Sequence, residues 1–490
     1  MTATAKIHMP STERSHDVPT GLYINGSWVD LDEKFDVIDP STGEVLARVS
    51  DGEISHGKAA LLAAHEAQPG WAAFSPRARG DLLHDVHALL LDRSDAFIDL
   101  MVLESGKPRN EAAGEMALTL DFFRWFAEQA AHVHGSYARA SRADFRIITT
   151  SQPVGPSLLI TPWNFPVLLP ARKVGAALAA GCTVILKPAA ETPLVGALLA
   201  QVLNDAGLPE GVFNLIPTKT SAAMSESLMQ DPRLRKVSFT GSSGVGSVIL
   251  RQAADNVMSS QMELGGNGAF IVLDDADVDV AVDQAMVSKF RNSGQACIAA
   301  NRIILQSGIA EEFTEKFLEA TRKLVVGPGH QTGVDVGPMI TEKQRGTIEG
   351  MLASAVGISA EVLLGGKAID GDGFFFEPTV LRMLDQAPEF SCHELFAPVA
   401  ALYTVDTVDE AVEFANRSEM GLAAYLFTRD LSRAITVAER IETGMVAVNR
   451  GMMADPAAPF GGVKASGIGR EGGHEALGEF LETKYIALTV

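Results

Sequence analysis

From Ser157 onward the apolar residues come in short dense runs separated by longer stretches of mixed polarity. SLLIT (157–161) is apolar up to the turn PWNFP, RKVGAALAAG (172–181) is rich in helix formers and is closed by Gly181, and CTVILKP (182–188) is apolar again until its proline. Such punctuation predicts strand, helix and strand in that order. RKVSFTG (235–241) repeats the strand signal and is followed by the turn SSGVG and a helix through Ala254. A second round starts at GAFIVLDD (268–275), and GMVAVNRG (444–451) reads as a strand feeding a long loop. Strands alternating with helices predict an α/β protein with doubly wound parallel sheets, whose ligands sit at the carboxyl ends of the strands.

Two segments leave that rhythm. SYARASRADFRIITTSQPV (136–154) carries the alternation and turn residues of a hairpin, and ETKYIALTV (482–490) is strand-like at the C-terminus. An exposed apolar strand is a sticky edge unless paired, so pairing with another subunit is expected.

At 490 residues the chain is long enough for two or three domains at roughly 150 residues each. A composition 47% hydrophobic and 21% charged is that of a globular protein, and a formal charge of −21 opposes nucleic acid and anionic membrane partners. The longest nearly apolar run, Val174 to Leu186, is 13 residues, short of the roughly 20 that span a bilayer. The N-terminal MTATAKIHMPSTERSHDVPT lacks a signal-peptide core and reads as a mobile arm, which leaves the cytoplasm as the expected location. Cys182, Cys297 and Cys392 have neither disulfide nor zinc spacing. The run 275-DADVD-279 imitates the start of a calcium loop, but Val280 and Met286 stand where such a loop needs glycine and glutamate, so helix capping is expected and no metal site.

The candidate chemistry begins at FRNSGQACIAANR, where Cys297 sits among amides and arginines rather than apolar neighbours. A free thiol of pKa about 8.5 is only a few per cent thiolate at neutral pH, so a nucleophilic role needs activation by its surroundings. No histidine lies between His134 and His330, so no local thiol–imidazole signature is present; a core thiol is the alternative. Glu263 in MELGGNG precedes two glycines that allow close backbone approach, although an ordinary exposed carboxylate reads the same way. Asn164 in PWNFP stands on a turn fixed by two prolines, placed to donate to an oxyanion or simply to hold the turn. Lys187 ends an apolar strand, and FTGSSGVG leads into a helix whose N-terminus suits a pyrophosphate, or is only a tight turn.

Taken in order, PWNFP, LKPAAETP, FTGSSGVG, MELGG, FRNSGQAC, HELFAPV and PFGGVKASGIGRE resemble the aldehyde dehydrogenase superfamily from Tyr23 onward. The resemblance implies a Rossmann-type cofactor domain (1–130 and 152–259), an α/β catalytic domain (260–472) and a small β oligomerisation element (131–151 and 473–490) in a homodimer or homotetramer. It implies Cys297 as nucleophile, the Asn164 side chain and the Cys297 N–H as oxyanion donors, and Glu263 as general base. NAD or NADP would be met by Thr161, Pro162, Trp163, Lys187, Ala190, Gly241, Ser242, Leu264, Glu394 and Phe396. The implied reaction carries an aldehyde through a thiohemiacetal and a thioester to a free acid. A coenzyme-A-acylating enzyme would lack the glutamate, and an inactive homologue would not need the intact set.

Within the superfamily SKFRNSGQACIAANR, GLAAY, GMVAVN and FLETKY look most like succinate-semialdehyde dehydrogenases, where two arginines hold the substrate's distal carboxylate; Arg172 and Arg291 fall at the matching positions. Glutarate semialdehyde and aliphatic or aromatic aldehydes are the alternative substrates. Two departures stand out. Ala454 replaces a serine hydroxyl with Asp455 beside it, a carboxylate unwelcome in such a pocket if it points inward, and Ala299 stands where some relatives carry a second cysteine. Ala190 stands where NAD-preferring relatives carry a glutamate. Strand-like alternation turns Glu191 away from that site, so NADP is expected to be accepted at least as well as NAD.

Overall fold

In the computed structural model, which describes residues 3–142, 144–356, 358–385 and 388–489, the predicted strands assemble into two large sheets. The first has a parallel centre in the spatial order Ser259–Glu263, Lys236–Thr240, Ser157–Ile160, Val184–Lys187 and Phe213–Leu215. The chain winds outward from Ser157–Ile160 in both directions, so the order reverses beside that strand. A crevice opens at such a reversal because the connections leave to opposite faces. Thr161 and Gly241 follow the two strands that flank it.

The helix between the first two strands, Leu168–Ala180, is buried along its whole length and ends where Gly181 turns left-handed at φ 92°. Its alanine-rich surface lets the helix Arg109–Gln129 lie against it. The strand Ser259–Glu263 straddles the expected 259/260 boundary and belongs to the first sheet, and Gly467–Ile468 returns to pair with it.

The second sheet runs Ala360–Leu364, Thr379–Met383, Val399–Val405, Arg302–Gln306, Ala269–Val272, Ala423–Phe427 and Met445–Val448, parallel except at its first edge. The central segments FIV (270–272) and IIL (303–305) are apolar at every position because both faces are covered. Asp277 caps the helix Val278–Phe290 through the Val280 N–H, and Asp275 accepts from Thr428, Arg429 and Asp430; the acidic run is a capping device.

Phe145–Pro153 pairs with Ser136–Arg139 and, over nine residues, with Leu481–Thr489 in a small antiparallel sheet. Tyr137, Tyr485, Ile486 and Leu488 are exposed on it. The N-terminus differs from expectation: Thr4–Met9 and Arg14–Pro19 form a hairpin rather than a mobile arm. Ile7 and Met9 alternate onto one face and are buried with Val18, while His16 reaches Asp99 at 2.9 Å. Among the described residues no helix is long and apolar enough to cross a membrane.

Candidate active site

At the crevice, Thr161, Pro162, Lys187, Ala190, Thr240 and Gly241 border a cleft of about 550 Å³. The N-terminus of the twelve-residue helix Ser243–Ala254 lies beside it, with the Ser242 hydroxyl accepting from Val245 N–H. Val245 and Val248, half-exposed on its first turns, give the cleft an apolar wall. Lys187 Nζ donates to Ser221 Oγ at 2.9 Å, and burial pushes its pKa down to about 8 against the pull of Glu191. Lys219 and Ser221 also border the cleft. Sequence reasoning missed both, because they follow a strand with no phosphate-binding pattern.

The loop after Lys187 corrects one expectation. Residues 188–192 form no strand, so side chains do not alternate there, and Ala190 and Glu191 border the same cleft. The alternation argument that turned Glu191 away does not apply.

Past Pro162, Thr240 and Gly241 the cleft continues into a second cavity of about 390 Å³ that contains Trp163, Asn164, Ser242, Leu264, Cys297, Glu394 and Phe396. Trp163 and Phe396 meet edge to face at 5.4 Å, and Phe396 holds a left-handed φ of 48°. Glu394 accepts from Gly266 N–H at 3.3 Å, and burial pushes its carboxyl up to about 8. Gln344 and Thr347, from the helix Glu342–Ala355, close the far side. No sequence motif marked them.

Cys297 reaches this cavity through a turn of unusual handedness. Asn292 (φ 52°), Ser293 (φ 55°) and Gly294 (φ 70°) are left-handed in succession, each non-glycine position costing roughly 1–2 kcal/mol. Bonds from several directions hold it: Asn292 Nδ2 to the carbonyls of Asn164 and Gln295, Ser293 Oγ to Gly337 O, and Gln295 Oε1 from Ile340 N–H. At Gly294 a side chain would strike the Ala397 carbonyl, and at Gly266 it would strike the carbonyl of Cys297 itself. That contact brings the MELGG loop directly against Cys297. Cys297 keeps partial exposure to the cavity, yet burial, with Glu394 next, pushes its thiol up to about 12; Arg172 is the counteracting cation.

Asn164 sits across from the thiol with Nδ2 on the Gln295 carbonyl at 3.1 Å and Oδ1 buried without a partner. Lys107 donates to the Asn164 carbonyl at 2.9 Å and forms a buried ion pair with Glu115, whose Oε1 takes the Val167 and Leu168 N–H groups. The PWNFP turn is therefore clamped from the helix Arg109–Gln129. Glu263 ends its strand 3% exposed, with neither carboxyl oxygen hydrogen-bonded. Burial first, then Glu471, push its pKa well above the ordinary value, while Lys173, Arg172 and Arg470 pull the other way. Lys173 pairs with Glu471 at 2.6 Å.

The two arginines lie near one another, and Arg172 also acts on the thiol. Arg172 is buried between Phe122 and Phe460, with its guanidinium 5.0 and 4.2 Å from their ring centres. Its nearest carboxylate, Glu471, is 3.8 Å away, and its Nε has no partner. Arg291 stacks on Phe165 at 4.9 Å and touches Met452 Sδ at 3.0 Å, at the edge of a cavity of about 290 Å³. Asp455 does not point inward: it is exposed and accepts from Ala457 N–H at 2.9 Å, closing a local turn.

The profile of the Aldehyde dehydrogenase family matches residues 28–486. Succinate-semialdehyde dehydrogenase of Paenarthrobacter nicotinovorans is 46% identical over 444 residues, 91% of this chain and 99% of the relative. Succinate-semialdehyde dehydrogenase [NADP(+)] GabD of Escherichia coli (strain K12) is 42% identical over 95% of this chain and 97% of its own. Among solved structures, succinate-semialdehyde dehydrogenase from Burkholderia pseudomallei superposes with a TM-score of 0.94 at 40% identity, covering 96% of this chain and 98% of that one. With a thiol and an amide lining one cavity beside the strand-end cleft, and a family match over residues 28–486, this chain belongs to the aldehyde dehydrogenase family.

Proposed function

We propose that the chain oxidises succinate semialdehyde to succinate with NADP or NAD, through a covalent intermediate on Cys297. The cleft fits a dinucleotide in its own features: a helix N-terminus for the pyrophosphate, Lys187, Lys219 and Ser221 for the ribose end, and Thr240 Oγ1 buried without a partner in its floor. Glu394 and Phe396, with Trp163 and Leu264, would hold the nicotinamide end beside the thiol. When bound, that group supplies the two-electron oxidant.

The reading carries its weight on Arg172. A buried guanidinium with an unmatched Nε, stacked rather than fully paired, is costly unless something completes it, and a carboxylate suits its fork. With Arg291 on the other side, the substrate's distal carboxylate would be held while its aldehyde reaches Cys297 Sγ. Once the Cys297 proton has passed to solvent, a loss that Arg172 favours, the thiolate adds to the carbonyl carbon, and the new oxyanion is met by Asn164 Nδ2 and by the Cys297 N–H. The thiohemiacetal carbon then loses its hydrogen with the electron pair and becomes a thioester. Glu263, once ionised, takes a proton from the water that releases the acid.

Burial pushes the Cys297 thiol and the Glu263 carboxyl up, so the ionised form of each is disfavoured in the cavity. The two large sheets and the small antiparallel sheet of Phe145–Pro153 support a division into cofactor, catalytic and oligomerisation parts, with Gly467–Ile468 crossing back to the first sheet. The exposed Tyr485, Ile486 and Leu488 suit a homodimer or homotetramer contact, and three free thiols suit the cytoplasm. The test is a kinetic panel of succinate semialdehyde, glutarate semialdehyde and neutral aldehydes of matched length. A higher kcat/KM for a neutral aldehyde overturns the substrate assignment.

A further inference from the structure

The left-handed turn ahead of Cys297 needs an acceptor that the chain around it does not provide. The helix Val278–Phe290 breaks at Arg291 (φ −54°, ψ 137°), so the Asn292 N–H has no carbonyl one turn back. That N–H donates instead to Glu111 Oε2 at 2.7 Å, from the first turn of the helix Arg109–Gln129. The other side-chain bonds of this turn are to backbone groups, so Glu111 is the ionisable side chain that closes it.

A neutral acceptor would serve the turn equally well, since backbone carbonyls accept such bonds throughout the protein. A negative charge there, opposed by the burial that pushes this carboxyl up to about 7, is therefore surplus to that duty, and Arg291 borders the same cavity. Glu111 borders the 290 Å³ cavity together with Lys107 and Arg291. Arg291 and Lys107 both favour its ionised form, and Asp335 opposes it. A carboxylate close enough to feel Arg291 also competes with any other carboxylate that Arg291 is to receive.

We propose that Glu111 is a positioning residue with two outputs: it fixes the left-handed turn that aims Cys297, and it tempers the Arg291 guanidinium against the substrate's carboxylate. The second output rests on the substrate reading given above; the first does not. One carboxyl group thus links the setting of the nucleophile to the strength of the substrate anchor. Weakening the anchor slightly favours turnover, because an acid product carries the same carboxylate and must leave.

The experiment compares wild type, Glu111→Ala and Glu111→Gln at pH 8.5, where a carboxyl pushed by burial to about 7 is ionised. Each is assayed for kcat and KM with succinate semialdehyde and with butanal, and for the rate of Cys297 alkylation by iodoacetamide. Glu111→Ala is expected to lose roughly 100-fold in kcat on both aldehydes, as a displaced reacting group does, and to change the alkylation rate. Glu111→Gln keeps the acceptor, so it should recover most of that kcat. It should lower KM for succinate semialdehyde by roughly threefold or more and leave KM for butanal in place. Equal kcat in the Ala and Gln variants overturns the positioning role; a Gln variant with unchanged KM, or with KM shifted alike for both aldehydes, overturns the tempering role. Should Glu111→Ala fail to fold, Glu111→Asp keeps the charge but falls short of Asn292, and its kcat loss, or lack of one, decides the same point. A wild type that prefers butanal removes the substrate reading, while the Ala and Gln contrast in kcat and alkylation still judges the positioning.

Discussion

The dinucleotide cleft and the thiol pocket share Pro162, Thr240 and Gly241 as a common wall, yet they are built in opposite ways. The cleft is bordered by strand ends and by two helices, Ser221–Met229 and Ser243–Ala254, with Lys187 paired to Ser221. The pocket gathers side chains from at least five separated segments. Around it lie five of the eleven buried side-chain polar atoms that lack partners among the described residues: Asn164 Oδ1, Arg172 Nε, both Glu263 oxygens and Glu471 Oε2. Each such atom costs roughly 1–3 kcal/mol in a protein interior. The difference teaches where the fold carries strain for chemistry: the cleft sits where any doubly wound sheet would put it, whereas the pocket persists only because its surroundings over-determine it.

If that contrast is right, substitutions in the pocket should be far more damaging than those in the cleft. The largest effect belongs to Cys297→Ala. Oxidation should fall by at least roughly a thousandfold while NADP⁺ still binds, as judged by fluorescence titration. Equal rates in mutant and wild type would sink the covalent mechanism. Glu263→Gln comes next, with a loss of roughly 100- to 10,000-fold in steady-state kcat and a burst of reduced cofactor preceding it, since the thioester still forms but waits for water. Because burial raises the Glu263 pKa, wild-type deacylation should rise with pH through a range higher than that of an ordinary carboxylate. A flat single-turnover profile there would contradict a carboxylate base.

The arginines sharpen the comparison within the pocket. Arg291→Met should reduce kcat/KM for succinate semialdehyde by roughly 100-fold, near 3 kcal/mol for a charge-assisted pair, and leave neutral aldehydes almost untouched. Arg172→Met should do the same and more. Arg172 also pulls the Glu263 pKa down, so its loss should move the acid limb of kcat to higher pH. A pH profile that shifts in Arg172→Met but not in Arg291→Met would separate the two duties; no shift in either would confine Arg172 to substrate binding.

The same contrast explains what could be read before any coordinates. The strands around the cleft were legible because SLLIT, VILK and KVSFT are short apolar runs with sharp ends, and periodicity is a local property. The thiol pocket was legible mainly through resemblance, since nothing in the spacing from Asn164 to Glu263 to Cys297 states that they meet. What escaped notice depends on three-dimensional closure. Lys173 and Glu471 lie 298 residues apart yet pair beside Glu263, and Gln344 and Thr347 reach the cavity from a helix with no motif. The N-terminal hairpin was missed because Ile7, Met9 and Val18 are too few to show a period, although their burial holds the hairpin in place.

The smallest expected effect lies in the cleft, where the ribose end of the cofactor is chosen. Ala190 leaves space, Lys187 and Lys219 bring positive charge, and Ser221 brings a hydroxyl, all of which suit a 2′-phosphate. Glu191 borders the same cleft and opposes them, since its carboxylate would repel that phosphate or accept from free ribose hydroxyls. Two cations and a hydroxyl against one carboxylate favour NADP⁺ being used at least as well as NAD⁺. Ala190→Glu should then move the ratio of kcat/KM values towards NAD⁺ by about tenfold, through a second like charge facing the phosphate, and Glu191→Gln should move it towards NADP⁺ by a smaller factor. Steady-state kinetics with both cofactors on the three proteins checks the balance. A strong wild-type preference for NAD⁺ that disappears in Glu191→Gln would assign the ribose hydroxyls to Glu191, and the loop after Lys187, rather than the residue at 190, would be what selects the cofactor.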